Sequence, residues 1–267
     1  WPLPSMALLA LTLALPAMTM ATTAIKEIPL DMAWESFDDQ YQGCHLDMME
    51  ELPALNHSEF QKNHVFEQAW RNAAAMWKTR RSPVSPLSSS DQAIAIMAFT
   101  MDGLYKQFNY EVRVDGRSPK VYRNMFHFKT LHFLLTDALA TLRAAQKEQE
   151  CLCVYRGVKD KLFKAKVGDV VRFGQFASSS LCENISHNFG ETTVFTVRTC
   201  YGADIEKFSR FPTEKEVLIP PFEKFEVTKV IEENKKVQIH LNSIGTCSKY
   251  NCEWLKGGNS LGPWGHP

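Results

Sequence analysis

The chain has 267 residues, 45% of them apolar and 22% charged, with a formal net charge of +0. Such a composition can bury one large core or two small ones and is that of an ordinary globular protein. Charge balance gives no electrostatic footing for a polyanion, so no nucleic-acid partner is expected.

The N-terminal segment is set apart from the globule. From Met6, "MALLALTLALPAMTMATTA" is an apolar run broken by Pro16 and followed by small residues, the pattern of a cleavable secretory signal rather than a membrane span. Residues 1–24 are therefore predicted as a signal peptide cut between Ala21 and Ala24, with Trp1 to Ser5 upstream of the initiator candidate Met6 and no basic region ahead of the run.

Between Glu35 and Gln149 apolar residues recur at helical spacing. "DQAIAIMAFTMDGLYKQFN" reads as a helix capped by Ser90 or Asp91, and in "MFHFKTLHFLLTDALATLRAAQKEQE" residues Phe128, Leu131, Leu135, Ala138, Leu139 and Leu142 form one stripe. His127 and His132 on or near that stripe are predicted to be packed or surface residues rather than catalytic ones. The Ser/Pro-rich "RRSPVSPLSSS" is a linker between helices.

The pattern changes at Cys151. "CLCVYRGV", "VVRFGQFASSSL", "TTVFTVRTC", "EVLIPPF", "FEVTKVIEE" and "KKVQIHLNS" are short β-rich runs, the last alternating Val237, Ile239 and Leu241 against Gln238 and His240. The predicted class is α+β, a helical lobe over residues 25–150 feeding a mostly antiparallel β core over residues 151–256, with a flexible tail at residues 257–267. Gly-rich phosphate loops of the Walker or Rossmann type are absent.

Seven cysteines without CxxC pairs, and eight histidines away from zinc-ligand spacings, argue for disulfides and against a metal. Being odd in number, they leave at least one thiol free or paired between chains. The tripeptides beginning at Asn56 and Asn184 are N-glycosylation acceptors consistent with secretion. The C-terminal "GNSLGPWGHP" lacks the hydrophobic tail that directs a lipid anchor, so a soluble, secreted protein is expected.

Three features follow one another in the β half: Arg156 in "VYRG", the serine trio Ser178, Ser179 and Ser180, and the pair Glu214 and Glu216 in "EKE". An arginine next to glycine suits phosphate oxygens, a serine can orient a sugar or a carboxylate, and glutamates can stabilise a cationic transition state. In an extended segment Glu214 and Glu216 share a face and Lys215 points away. Singly, each feature reads better as an ordinary surface ion pair, a serine-rich turn or a polar strand edge.

Together they resemble the arginine-specific mono-ADP-ribosyltransferases of vertebrate cell surfaces and secretions. That family carries an arginine in a "YRG"-like strand, a serine opening an "S-x-S" strand and the second glutamate of "E-x-E", here Arg156, Ser178 and Glu216. "PLDMAWESFDDQYQGC", "YKQFNYEVRVDGRS", "FKTLHFLLTDAL", "VRFGQFASSSL", "EKEVLIPPFEKFEV" and "YNCEWLKG" extend the likeness over residues 28–256. The resemblance implies two abutting β-sheets with NAD in the cleft between them, NADP being the alternative dinucleotide. It also implies transfer of ADP-ribose to arginine of acceptor proteins through an oxocarbenium-like state. Glu216 would bind the ribose and stabilise that cation, and Ser178 would orient Glu216. Arg156 would hold the ribose-phosphate portion, Gly157 the nicotinamide amide through its backbone, and Phe189 would stack on nicotinamide. Glu214 would activate the incoming guanidinium. Implied bridges are Cys44 with Cys252 and Cys151 with Cys200; Cys153, Cys182 and Cys247 stay unassigned, and the choice between Cys151 and Cys153 stays open. An NAD glycohydrolase, for which Glu216 alone would suffice, and a non-catalytic binder of the same fold are the alternative functions.

Overall fold

A computed structural model describes residues 25–146, 150–184 and 189–257. The predicted signal peptide and nearly all of the predicted tail lie outside the described residues.

Among the described residues six α-helices precede most of the strands: α1 (His45–Lys62), α2 (His64–Arg80), α3 (Ser90–Phe99), α4 (Leu104–Val114), α5 (Pro119–Met125) and α6 (Lys129–Ala145). The α6 stripe packs as expected, with Leu131, Leu135, Ala138, Leu139 and Leu142 buried behind Phe128. His132 is fully buried on that helix. Burial pushes its pKa down to about 3, so it is neutral, and it bridges the Tyr41 hydroxyl at 2.8 Å and the Phe37 carbonyl at 3.2 Å. A neutral ring with its Nε2 proton on the Phe37 carbonyl accepts from Tyr41 at Nδ1.

The single helix expected over residues 91–109 is two. Chain direction changes at Thr100–Gly103, where Gly103 has φ of +97°, a conformation that glycine adopts without penalty. The cap of α3 is Ser89, one residue ahead of the predicted position, because Gln92 completes a reciprocal capping box with it.

The strands are β1 (Lys26–Pro29), β2 (Leu152–Val158), β3 (Lys161–Lys164), β4 (Val170–Val171), β5 (Ala177–Ser180), β6 (Thr193–Thr199), β7 (Ala203–Asp204), β8 (Glu216–Ile219), β9 (Glu223–Glu233) and β10 (Lys236–Thr246). β1 departs from the expected helical lobe: it pairs in parallel with β3 and so belongs to the β half. The other eight form a mixed sheet in the order β4-β9-β10-β6-β2-β5-β8-β7, antiparallel except where β10 meets β6. On β10 the predicted alternation holds, Val237, Ile239 and Leu241 facing the core.

A continuous apolar core joins α-helical residues such as Phe99, Phe108 and Leu135 to Phe176, Ile205 and Leu218 of the β half. The segment before α1 is tied to the C-terminal segment. Arg172 and Asp38, both fully buried, pair at 2.6 Å, and Asp38 also accepts the Lys249 and Tyr250 amides, at 2.9 and 3.1 Å. A buried pair with its remaining polar atoms satisfied is costly to break from one side. The Cys44–Cys252 disulfide closes the same junction. Cys151 pairs with Cys200, and register decides it over Cys153: with Leu152 opposite Thr199, Cys151 falls opposite Cys200 while Cys153 faces Arg198. Cys153, Cys182 and Cys247 carry free thiols.

Candidate active site

The two expected sheets are joined through one residue pair. Between β2 and β5 only Tyr155 and Ser180 are in register, so the strands splay apart beyond that point and open a cleft of about 720 Å³. This volume lies within the ordinary range for small-molecule sites. Arg156 follows Tyr155 on β2, and its Nη1 donates across the splay to the Ser178 carbonyl of β5. Strand β5 is short, and its approach is fixed from the helical lobe: the Asn109 side chain accepts from the Phe176 amide at 3.1 Å and donates to the Phe176 carbonyl at 2.9 Å. That amide replaces a strand neighbour for the residue two before Ser178.

Glu216 opens β8 opposite Ser180 and is buried. Ser209 Oγ donates to the Glu216 carboxylate at 3.4 Å, and Ser178 lies on the same cleft, where its hydroxyl favours the ionised form. Glu214 arrives by another route than the extended alternation predicted for "EKE". It ends a 3-10 turn over Pro212–Glu214, and Lys215 has φ of +46° in the left-handed region. Reversal at Lys215 leaves that side chain exposed and sets both carboxylates on the cleft. The turn is held by Ser180, whose Oγ donates to the Glu214 carbonyl at 2.8 Å, and by the Leu181 amide on the Lys215 carbonyl at 3.2 Å.

These positions perturb ionisation. Burial, reinforced by the charge of Glu214, pushes the Glu216 pKa from 4.5 up to about 7 against the opposing pull of Ser178, Ser209 and Arg156. Burial lowers the Arg156 pKa to about 10, with Glu216 and Tyr105 opposing. Glu214 is raised by burial and then by Asp102. Because the folded Glu216 pKa lies above the unfolded one, its ionisation removes stability progressively between pH 4.5 and about 7. A site that stores this cost gains when a cation arrives beside the carboxylate.

Turnover that needs ionised Glu216 should therefore show an acidic limb in kcat/KM for the substrate with a midpoint near 7 rather than near 4.5. Ser209→Ala removes a bond to the ionised form and should move that limb to higher pH. An unshifted limb in the variant would show that Ser209 does not tune Glu216.

All six residues singled out for catalysis or dinucleotide binding, Arg156, Gly157, Ser178, Phe189, Glu214 and Glu216, line this cleft. Phe189 is half exposed at its rim. The helical lobe adds Thr100, Asp102, Tyr105, Lys106 and Arg113, which sequence reasoning missed. Their only signal was the glycine within a helical run, since a break in a helix frees side chains for a neighbouring wall. Of the acceptor tripeptides, Asn56 lies half-buried within α1 and Asn184 is exposed, and neither lines the cleft. Among the described residues no group of three His, Cys, Asp or Glu is placed to hold a metal, and no helix is long and apolar enough to cross a membrane.

The sequence model of the NAD:arginine ADP-ribosyltransferase family matches residues 30–249. The chain belongs to this family. Its sequence is 48% identical over 260 residues to the erythroblast NAD(P)(+)--arginine ADP-ribosyltransferase of Gallus gallus, covering 94% of this chain and 86% of that one. It is 46% identical over 243 residues to the GPI-linked NAD(P)(+)--arginine ADP-ribosyltransferase 1 of Mus musculus, covering 86% and 74%. Among solved structures, the eucaryotic mono-ADP-ribosyltransferase ART2.2 superimposes with a TM-score of 0.73 at 34% identity, over 84% of this chain and 98% of that one. A variant of ART2.2 has also been solved in complex with NAD, with a TM-score of 0.70 to this chain. The ADP-ribosyltransferase fold is thus that of this chain.

Proposed function

We propose that this family member transfers ADP-ribose from NAD to the guanidinium of arginine in acceptor proteins and releases nicotinamide. The observation that carries the proposal is the convergence of Arg156, Ser178, Glu214 and Glu216 on one cleft, reached from three separate segments.

Arg156, already committed to the Ser178 carbonyl through one nitrogen, keeps further donors for the ribose-phosphate portion of NAD. Gly157, on the same strand, offers backbone groups to the nicotinamide amide without a side chain in the way. Phe189 stacks on the nicotinamide ring from the rim. Ser178 fixes the Glu216 carboxylate, which accepts from the ribose 2′-hydroxyl.

In the chemical step the bond from ribose C1′ to nicotinamide breaks and its electron pair leaves with nicotinamide, so positive charge develops at C1′ beside ionised Glu216. A guanidinium nitrogen then forms the new bond to C1′ and loses one proton, which Glu214 accepts and passes to solvent. Free arginine holds that proton with a pKa above about 12, so its nitrogen attacks only when a carboxylate receives it. Burial and Asp102 raise Glu214, which makes it a better base.

The relatives' names admit NAD or NADP as the dinucleotide. Two disulfides and the GPI-linked relative support an extracellular site of action. Nicotinamide release measured with and without a simple guanidino ester tests the function. Acceptor-stimulated release with an ADP-ribosylated ester is expected. Release that ignores the acceptor would mark a glycohydrolase, and no release from NAD or NADP would mark a non-catalytic binder.

A further inference from the structure

The acceptor must approach Glu214 from outside, and the wall it meets is the break between α3 and α4. Asp102 stands there, exposed, one residue ahead of Gly103. Its carboxylate lines the same cleft as Glu214 and is near enough for its charge to raise the Glu214 pKa. No hydrogen bond or ion pair within the described residues engages Asp102. Lys106, one helical turn on, lies instead over the Tyr105 ring at 5.8 Å. The break is also stitched to the loop carrying Glu214: the Arg210 amide donates to Thr100 Oγ1 at 2.8 Å. Asp102 and Glu214 are thereby held on two segments fastened to each other.

Behind Asp102 lies a second hollow of about 390 Å³ between α2 and the same break. Val65, Ala69, Met101 and Leu104 give it an apolar lining, and Asp102 borders both spaces.

We propose that Asp102 is a second carboxylate grip for the acceptor guanidinium, and that the adjoining hollow receives an apolar side chain of the acceptor polypeptide next to the target arginine. The proposal rests on the arginine-transfer reading of the cleft. A guanidinium presents five donors in a plane, more than one carboxylate can take. Glu214 has a second duty, because once it accepts the proton it no longer supplies a counter-charge. A carboxylate that does not receive the proton keeps the acceptor in place through the step. Water needs neither group, so Asp102 acts on the acceptor channel alone. Continuity of hollow and cleft at Asp102 puts the polypeptide flanking the arginine over α2.

The test uses the full protein with three readouts: nicotinamide release to water, KM for a small guanidino ester, and KM for a peptide with an apolar residue beside its arginine. Asp102→Asn should raise both acceptor KM values about fivefold to tenfold, the scale of one charge-assisted hydrogen bond, while KM for NAD and release to water stay within about twofold. Asp102→Glu should recover part of the loss. Val65→Asp, at an exposed position in the first turn of α2 where an acidic residue is tolerated, should raise KM for the peptide and leave the ester unchanged.

Unchanged acceptor KM values in Asp102→Asn, or an equal loss in the water channel, would overturn the grip. An unchanged peptide KM in Val65→Asp would overturn the hollow's role. Failure of the unmodified protein to modify any guanidino acceptor would count against the proposed function itself, which separates the two.

Discussion

Glu216→Gln is expected to suppress nicotinamide release by about 10²- to 10³-fold or more, with and without an acceptor, the scale on which loss of one preorganised electrostatic partner of a transition state acts. Both channels pass through the same cation at C1′, so both should fall together. The amide keeps the shape of the carboxylate and can still hydrogen-bond Ser178 and Ser209, so NAD binding should weaken far less than turnover. Stability should move the other way. Glu216 is buried and its ionisation is disfavoured up to pH about 7, so at pH 8 the glutamine variant is relieved of a buried charge and should melt at the same temperature or higher. A variant that is stable, binds NAD and is inactive supports the assigned role. Near-native turnover would remove Glu216 from the mechanism.

For Glu214→Gln the two channels should separate. Transfer to a guanidino acceptor is expected to fall about 10²-fold or more, the usual contribution of a positioned base, while release to water persists. A further consequence follows from electrostatics. The Glu214 charge is one of the groups that raises Glu216, so its removal should move the acidic limb of the water reaction to lower pH. Misfolding would depress both channels and leave no such shift. Equal loss in both, with unchanged melting temperature, would mean that Glu214 also serves the NAD half of the reaction.

Much of this site could be read before any coordinates, because its parts sit on strands whose local pattern is strong. Arg156, Ser178 and Glu216 lie on β2, β5 and β8, each with short-range signals. Glu214 was found for the wrong local reason, since strand alternation cannot foresee a left-handed residue at Lys215 without glycine to announce it. Asn109 was invisible for a different cause. Within α4 it is one more polar residue among Gln107, Tyr110 and Glu111, and only tertiary packing turns its amide toward Phe176. The missed strands β1, β3 and β7 have at most four residues and are made by their partners rather than by their own alternation. Residue pairing between Cys151 and Cys200 needed the β2–β6 register, which periodicity alone does not supply.

The most direct measurement is the site of the covalent product. After incubation of the protein with NAD and an acceptor protein, fragmentation mass spectrometry that retains the adduct should place a single ADP-ribose on arginine side chains, with nicotinamide formed in matching amount beyond the water background. Adducts on other residue types, or nicotinamide released in the same amount with no adduct on arginine, would contradict the account.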